Sequence, residues 1–392
     1  MDLPLQYLHV SRAALWQNAE AIGRHVGVPV IGVVKCGGYG VSIGEAARAW
    51  QQAGCKMFAV SRPQEALALR QLGFREEILL MAPVSDPEIL LEMVRHKILL
   101  TVTGLECAQK YLLWTDIRPL EVHLAVDTGM GRFGVRWEDT EQIKALYRRR
   151  GIRVTGIFSH FSQAFVRDPG PTMEQLRRFL SVTEALAQEG IDPGLRHMAN
   201  SCAALRFPET RLDAVRIGSA LVGKLCGSSP VPLEKVCAFR AQVVDCKTLL
   251  PGDTTGYGGV CRVKKLTQAI VVAVGREDGL GLLEHPGALT GIPALKAFLR
   301  LLLRAGTRPT VSHKGNTLPM LGRVGQQYTL FDATGLSIRP GDYVTLDLPQ
   351  LFPGRVIRYT DIKTPEELLR LQRLNRGVSG AADSCGGFEE RG

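Results

Sequence analysis

Short apolar runs alternate with amphipathic stretches between residues 30 and 217 of the chain. Near-continuous apolar runs of four or five residues are typical of parallel strands, which are buried on both faces, and the stretches between them repeat with the period of helices. The predicted strands are residues 30–34, 57–60, 78–81, 98–102, 122–126, 154–158, 195–198 and 214–217. The predicted helices between them are residues 43–53, 63–72, 86–94, 105–113, 138–147 and 172–189.

This alternation predicts an α/β fold, a (β/α)₈ barrel of the TIM type. A doubly wound sheet is the competing arrangement, but eight regular units without a glycine-rich dinucleotide fingerprint favour the barrel. Before the first strand, Ser11 is the expected N-cap of a helix whose apolar stripe is Leu15, Ala19 and Ile22. We therefore expect one barrel domain over residues 1–232.

The pattern changes from residue 233 onward. Strand-like runs at residues 238–244, 269–274, 322–330 and 342–346 are separated by Pro, Gly and Asp turns, and one helical stripe lies at residues 293–304. These runs predict a mostly β domain over residues 233–376. The last residues, 377–392, are rich in Gly, Ser, Ala and charge, and this composition predicts a disordered tail.

Composition narrows the possible functions. A hydrophobic fraction of 45% is that of a soluble globular protein, and no apolar run reaches the roughly 18 residues that span a bilayer. The first residues lack the regions of a signal peptide, so a cytoplasmic protein is expected. Nine scattered cysteines without a CxxC pair indicate reduced thiols and no metal site. Because the net charge of +10 is dispersed and aromatics are only 6%, we expect anionic ligands and no nucleic acid or membrane partner.

Candidate chemistry begins with the stretch Val33-Val34-Lys35-Cys36-Gly37-Gly38-Tyr39-Gly40. Lys35 ends a predicted parallel strand, where α/β enzymes place reactive groups, and partial burial there lowers the pKa of an ammonium group. The glycines allow the backbone to approach an anion that the Tyr39 hydroxyl also reaches. The alternative is a lysine that extends into solvent before an ordinary turn, and this stretch alone does not decide between the two.

Further polar groups follow later predicted strands. Arg132 lies in a glycine-rich loop, where a guanidinium suits a phenolate, carboxylate or phosphate, although a surface turn with a solvated arginine is the alternative. His160 also follows a strand, where a lone histidine is more often structural than a ligand. Ser201 and the backbone amides of Gly218 and Ser219 are of the type that binds phosphate late in a barrel.

These stretches, in this order, resemble the alanine racemase family, the fold-type III enzymes that use pyridoxal 5′-phosphate (PLP). The resemblance extends from Tyr7 to about Leu371. It implies PLP as the cofactor and a homodimer with shared active sites. The matching motifs are Val33-Val34-Lys35 with Tyr39-Gly40, Phe58-Ala59-Val60 with Glu65-Ala66-Leu67 and Leu69-Arg70, Asp127-Thr128-Gly129-Met130-Gly131-Arg132, Ser159-His160-Phe161, Ala199-Asn200-Ser201, Val215-Arg216-Ile217-Gly218 and Gly256-Tyr257-Gly258.

The resemblance implies a role for each matching polar residue. Lys35 would carry PLP as a Schiff base and act as one acid/base, and Tyr257 of the partner subunit would be the opposite base. Arg216 would face the pyridine nitrogen, and His160 would link Arg216 to Tyr257. Arg132 would bind the phenolic oxygen, and Tyr39, Ser201 and the amides of Gly218 and Ser219 would bind the phosphate. The implied cofactor contacts are Lys35, Tyr39, Arg132, His160, Asn200, Ser201, Arg216, Gly218 and Ser219.

The chain departs from the family pattern in the half that would contact the substrate. The family's carbamylated lysine is Ala125 here, so the anion that orients Arg132 is missing, and a bound chloride or a nearby carboxylate is the expected substitute. An entrance tyrosine is replaced by Arg276, and a Cys-Met-Asp run by Gly325-Gln326-Gln327. A C-terminal tyrosine that contacts phosphate has no clear match, and the segment 281–319 is longer than is typical.

The expected function is racemisation of an amino acid by proton transfer on both faces of Cα, with Lys35 and Tyr257 as the two bases. The substrate is alanine or another small or polar amino acid, contacted by Arg132, Arg276 and Gln326. The alternative for Arg276 is an exposed arginine at the rim of the site that does not contact the substrate. One competing function is that of a PLP-dependent decarboxylase or aldolase, which has less use for a proton donor on the second face of Cα. The other is that of a PLP-binding protein without turnover, which has no use for two bases.

Overall fold

A computed structural model describes residues 4–225, 229–282, 309–346, 348 and 356–359. The chain divides into two compact units, Ser11–Val236 and the combination of Met1–Val10 with Cys237–Thr360. The first strand, β1 (Gln6–Val10), thus belongs with the C-terminal strands, and this differs from the expected boundary at residue 1 of the barrel. The predicted helical stripe at 293–304 and the predicted tail at 377–392 lie outside the described residues.

The unit Ser11–Val236 contains the alternating strands and helices that its apolar pattern predicts. Its helices are α1 (Arg12–Val26), α2 (Lys35–Tyr39), α3 (Ile43–Gln52), α4 (Pro63–Gln71), α5 (Pro87–Arg95), α6 (Leu105–Trp114), α7 (Thr140–Tyr147), α8 (Gly170–Ala187) and α9 (Ser201–Arg206). Its strands are β2 (Val30–Val33), β3 (Met57–Val60), β4 (Glu77–Leu80), β5 (Leu100–Val102), β6 (Leu120–Asp127), β7 (Val135–Arg136), β8 (Ile152–Phe158), β9 (Leu195–His197) and β10 (Val215–Ile217).

Eight parallel strands of this unit close into a barrel. One row runs β10-β2-β3-β4 and the other β5-β6-β8-β9. Two parallel bridges, Leu79 with Leu99 and His197 with Ala214, join the rows at both ends. Each of the eight predicted apolar runs coincides with one of these strands, so the barrel prediction is confirmed.

Local sequence signals fix where several helices begin. The Ser11 hydroxyl accepts a hydrogen bond from the Ala14 amide at 3.2 Å, which makes Ser11 the N-cap of α1 as predicted. The Asp86 carboxylate accepts hydrogen bonds from the amides of Glu88 and Ile89 and caps α5 in the same way. The predicted stripe of α1, Leu15, Ala19 and Ile22, is fully buried.

The second unit is mostly β, as predicted. Its remaining strands are β11 (Cys237–Leu249), β12 (Thr254–Thr255), β13 (Cys261–Arg262), β14 (Thr267–Val272), β15 (Thr310–His313), β16 (Asn316–Leu321), β17 (Thr329–Asp332), β18 (Tyr343–Leu346) and β19 (Ile357–Tyr359). The main sheet has the order β14-β17-β16-β15-β18-β11-β1-β19, and β14 also pairs with β11. The long strand β11 shifts register between Val243 and Asp245, so its two halves pair with different neighbours.

Two details of this unit differ from the sequence pattern. The predicted strand 322–330 is only β17, because the residues before it form turns: Gly322 has a φ of +80°, and a Cβ on Gly325 would lie 2.0 Å from the Tyr328 carbonyl oxygen. The hairpin of β15 and β16, which turns at Lys314 and Gly315 with positive φ, was not predicted. No helix in the described part of the chain is long and apolar enough to cross a membrane.

Candidate active site

The predicted cofactor residues of the barrel follow the carboxyl ends of five of its strands. Lys35 comes after β2, Arg132 after β6, His160 after β8, Ser201 after β9 and Gly218 after β10. Because the strands are parallel, their carboxyl ends lie at one edge of the barrel, where barrel enzymes carry their active sites.

Lys35 is half-buried and is followed by a left-handed turn. Its ammonium group forms no hydrogen bond or ion pair with any residue that the structure describes. The next residues have left-handed helical angles, with φ of 54° at Cys36, 60° and 66° at the two glycines that follow, and 57° at Tyr39. This conformation costs an L residue such as Cys36 or Tyr39 roughly 1–2 kcal/mol. The turn is therefore a strained feature of the kind that accompanies functional sites.

Tyr39, Ser201 and Gly218, the predicted phosphate contacts, lie close together and are called the cradle. A Cβ on Gly218 would lie 2.1 Å from the Tyr39 hydroxyl, so the phenol occupies the space that any other residue at 218 would fill. The Ser201 hydroxyl accepts a hydrogen bond from the Gly218 amide at 3.1 Å. Burial raises the pKa of Tyr39, so its hydroxyl stays protonated and can donate a hydrogen bond. Ser219 follows at the start of the 3₁₀ turn Ser219–Val222, which adds backbone N–H groups.

Arg216 is buried, with 3% of its surface exposed, and no described carboxylate pairs with it. One terminal nitrogen donates to His197 Nδ1 at 2.9 Å, and the other donates to His160 Nδ1 at 3.1 Å. Further donations reach the carbonyls of His197 and Ser159 at 2.8 and 2.6 Å. Burial and the charge of Arg132 lower the pKa of Arg216 to about 9, so the guanidinium remains protonated at neutral pH.

Three histidines around Arg216 are neutral. His197 Nε2 lies 2.9 Å from His123 Nδ1, which continues the chain of hydrogen bonds away from Arg216. Burial and the charge of Arg216 lower the pKa of both His123 and His160 to about 3, and they lower that of His197 as well. The charges of Arg132 and Lys35 also contribute to the shift at His160. The charges of Arg216, Arg132 and Lys35 therefore all lower the pKa of the same side chain, His160.

The loop that carries Arg132 is held by Asp127. The Asp127 carboxylate accepts hydrogen bonds from the amides of Gly129, Met130 and Gly131, all at about 3 Å. Arg132 itself is exposed, and no carboxylate among the described residues forms an ion pair with it. The expectation that a nearby carboxylate replaces the missing lysine at Ala125 thus gains no support within the described chain, and the bound chloride stays a prediction.

Helix α8 ties two of these loops together through Gln175. This buried side chain donates to the Thr128 hydroxyl at 3.3 Å and to the His160 carbonyl at 3.2 Å, and it accepts from the Ser162 amide at 3.0 Å.

Asn200 has a structural role: its side chain caps α9 and donates to the Phe161 carbonyl at 3.1 Å. The cofactor contact predicted for Asn200 therefore has no counterpart in its described hydrogen bonds.

The remaining predicted residues lie in the β-rich unit. Tyr257 is 81% exposed, in the 3₁₀ turn Tyr257–Gly259. Arg276 and Gln326 lie on neighbouring segments, since the Arg276 amide donates to the Gly325 carbonyl at 3.0 Å. Arg276 also lines a pocket of about 360 Å³ together with Arg323. Of the predicted substrate residues of this unit, Arg276 thus lies beside a second guanidinium, whereas Gln326 is not among the residues that line this pocket.

Family models for the N-terminal and C-terminal domains of alanine racemase match residues 10–225 and 236–354. The chain belongs to the alanine racemase family. It is accordingly an amino acid racemase, an enzyme of the isomerase class. The alanine racemase of Desulforamulus reducens is 34% identical over 284 residues, which cover 70% of this chain and 76% of the relative. That of Methanococcus maripaludis is 31% identical over 326 residues, 81% of each chain.

Solved alanine racemase structures share the fold. The enzyme of Clostridium difficile 630 superposes with a TM-score of 0.78 at 22% identity and covers 91% of this chain and 95% of its own. The enzyme of Bacillus anthracis, solved with bound L-Ala-P, gives a TM-score of 0.74 at 25% identity over 96% and 92% of the two chains. The predicted barrel followed by a mostly β domain is therefore the family's architecture.

Sequence reasoning did not assign His123, His197 or Gln175 to the site. His123 is a polar residue within a buried apolar strand, and this exception to the pattern was the available signal. Gln175 likewise falls among the buried positions of α8. Periodicity alone does not reveal their partners, because those partners come from other strands and loops.

Proposed function

We propose that this racemase uses PLP and interconverts the L- and D-forms of alanine, or of another small or polar amino acid, by a two-base mechanism. The observation that carries the proposal is the buried Arg216, which is hydrogen-bonded to neutral histidines rather than carboxylates. One of these histidines, His160, is also within reach of the charge of Lys35.

The donor set fits PLP. The Tyr39 and Ser201 hydroxyls suit a phosphate group as donors, and the Gly218 amide holds the Ser201 hydroxyl in place. The position of the Tyr39 hydroxyl explains why residue 218 has no side chain. The terminal nitrogens of Arg216 are engaged, while its Nε has no described partner and is free to face a ring nitrogen. When bound, PLP supplies an electron sink that makes the Cα proton of an amino acid acidic.

Each residue then has a defined task. Lys35 would attach the cofactor and move a proton at one face of Cα, and Tyr257 of the partner subunit would move a proton at the other face. Arg216 stays protonated and gives no proton to the ring nitrogen, which limits electron withdrawal and favours return of the proton to Cα over side reactions. His160 holds Arg216 through a neutral nitrogen.

The first test is a panel of L-amino acids incubated with PLP-loaded enzyme in deuterated water and followed by chiral analysis. The expected result is deuterium at Cα together with D-product, and loss of both in Lys35→Ala along with the absorption band of lysine-bound cofactor. Deuterium exchange without D-product would contradict racemisation. Release of carbon dioxide or an aldehyde would instead support the decarboxylase or aldolase function.

The same panel tests the substrate class. Arg276 and Arg323 beside one pocket suit a polar or acidic substrate side chain, or the substrate carboxylate. We expect Arg276→Ala to change the order of preference among the amino acids. The matched control is Lys247→Ala, which removes one positive charge from an exposed site of the same unit. An unchanged order in Arg276→Ala would exclude Arg276 from substrate selection.

A further inference from the structure

The carboxylate of Glu65 connects the start of α4 to the backbone that follows Lys35. Its Oε1 accepts a hydrogen bond from the Cys36 amide at 2.6 Å. Its Oε2 accepts from the amides of Ser61 and Arg62 at 3.0 and 3.1 Å. The residue is buried, with 6% of its surface exposed. One side chain thus binds three backbone N–H groups from two segments that lie far apart in the sequence.

The segment that Glu65 holds is the left-handed turn between Lys35 and Tyr39. Cys36 has φ and ψ of 54° and 46°, and this is the position at which the turn departs from the strand. A left-handed run that includes L residues is unfavourable by itself and persists only when the surrounding structure stabilises it. The Cys36 amide is the group through which Glu65 supplies such stabilisation.

We propose that Glu65 is a positioning residue for cofactor attachment, because its carboxylate stabilises the left-handed turn that sets Lys35 and Tyr39 relative to each other. The inference rests on the proposed function, in which Lys35 carries PLP and Tyr39 contacts its phosphate. The two contacts lie at opposite ends of the turn, so a turn that relaxes would misplace one of them. Glu65 acts through the backbone and touches neither substrate nor cofactor.

The chemistry of the site requires a carboxylate of this length. Three N–H donors approach from two directions, and both oxygens of Glu65 accept. A glutamine has one acceptor oxygen, and its NH₂ group would face an N–H donor. Glu65→Gln therefore retains the size of the side chain but loses either the bond to Cys36 or the bonds at the start of α4.

The test compares PLP binding by wild type and Glu65→Gln, using the absorption band of lysine-bound cofactor and the share of Lys35 labelled after borohydride reduction. Loss of a hydrogen bond to a charged group predicts PLP affinity weaker by on the order of ten- to a hundredfold. The control is Asp86→Asn, which weakens the cap of α5 and should leave PLP affinity unchanged. Thermal unfolding of each apo variant confirms that it folds.

A second substitution separates positioning from simple capping of α4. Glycine adopts positive φ without steric cost, so Cys36→Gly should recover part of the PLP affinity lost in Glu65→Gln. If Glu65 only caps α4, Cys36→Gly would recover nothing, and that result would overturn the inference. Equal PLP affinity of wild type and Glu65→Ala, which removes both acceptor oxygens, would overturn it as well. A wild type that forms no band on Lys35 would instead contradict the proposed function.

Discussion

Arg216 shows how a single side chain sets the chemistry of its surroundings. A buried guanidinium is usually neutralised by a carboxylate, but the described partners of Arg216 are carbonyl oxygens and neutral histidine nitrogens. Burial, together with the charge of Arg216, lowers the pKa of His123 and His160 to about 3. His160 and His197 therefore accept hydrogen bonds from Arg216 at Nδ1, which a protonated imidazole could not do.

Acid should destabilise the protein through these histidines. The unfolded chain protonates a histidine near pH 6.5, whereas folded His123 and His160 resist protonation down to about pH 3. Their contribution to stability is therefore complete above about pH 6.5 and is lost as the pH falls toward 3. Each adds up to about 1.4 kcal/mol per pH unit to the slope of the unfolding free energy. Urea unfolding between pH 7.5 and 4 measures this slope.

The variant His123→Gln removes one of these groups. The unfolding free energy of this variant should change less steeply with pH than that of wild type. The two slopes should differ by the contribution of one titrating group, up to about 1.4 kcal/mol per pH unit, whatever the stability of the variant at pH 7.5. Parallel slopes for the two proteins would show that His123 is not the group that resists protonation.

Gly218→Ala should weaken PLP binding. The new Cβ would lie 2.1 Å from the Tyr39 hydroxyl, so the phenol must leave the cradle. Overpacking of this kind costs about 1–3 kcal/mol, which corresponds to a loss of PLP affinity of about five- to 150-fold. Gly23→Ala in α1 is the control, because nothing lies within 4 Å of its Cβ. Spectroscopic titration with PLP compares them, and equal affinities would remove Gly218 from the phosphate site.

Among the helices, α8 contributes to the site without carrying a predicted catalytic group. Its buried Gln175 binds the loop after β6 through Thr128 and the loop after β8 through His160 and Ser162. These loops come from strands that are adjacent in the barrel, so one helix fixes the spacing between Arg132 and His160. A strand end positions the first residue of a loop, and the helix positions the rest.

Gln175→Ala should therefore lower the unfolding free energy by about 1–3 kcal/mol, since it leaves buried polar groups without partners. Urea unfolding at constant pH measures the loss. The control Gln188→Ala changes an exposed residue at the end of the same helix and should remain within about 0.5 kcal/mol of wild type. A loss equal to that of the control would show that the loops do not depend on Gln175.

For the assembled enzyme, the main question is which subunit's site Tyr257 serves. Tyr257 has 81% of its surface exposed in the single chain, and the proposed function assigns it to the site of a second copy. In a dimer with shared sites, each site would combine Lys35 of one chain with Tyr257 of the partner subunit. An isologous two-fold interface produces two such sites at once.

Mixing two inactive variants tests this arrangement. Lys35→Ala and Tyr257→Phe should each be inactive, and their mixed dimers would contain one intact site and one doubly altered site. With random pairing, the mixture should regain roughly a quarter of wild-type activity, because half the dimers are mixed and each has one working site. If both bases came from the same chain, every site would lack one base and no activity would return.

Most of the architecture followed from short-range patterns. The eight apolar runs predicted the barrel strands because burial on both faces of a parallel strand leaves a signal within four or five residues. Lys35, Arg132, His160, Ser201 and Gly218 could be predicted as a group for a related reason: parallel strands bring their carboxyl ends to one edge.

Other features depended on contacts that no local pattern contains. Strand β1 was not predicted because its partners in the sheet, β11 and β19, lie more than 220 residues away along the chain. The bond between His123 and His197 joins residues 74 positions apart, and the bond between Glu65 and Cys36 joins residues 29 apart. Each is a pairing of polar groups that only the folded chain brings within hydrogen-bond distance.

The amino-acid sequence by itself thus determined the eight strands of the barrel and the set of polar residues that follow them, because periodicity and strand direction are local properties. Tertiary structure decided how those residues are held: the left-handed turn after Lys35, the neutral histidines around Arg216 and the glutamine that joins two loops. These depend on burial and on partners distant in sequence, since desolvation and hydrogen-bond geometry exist only after the chain has folded.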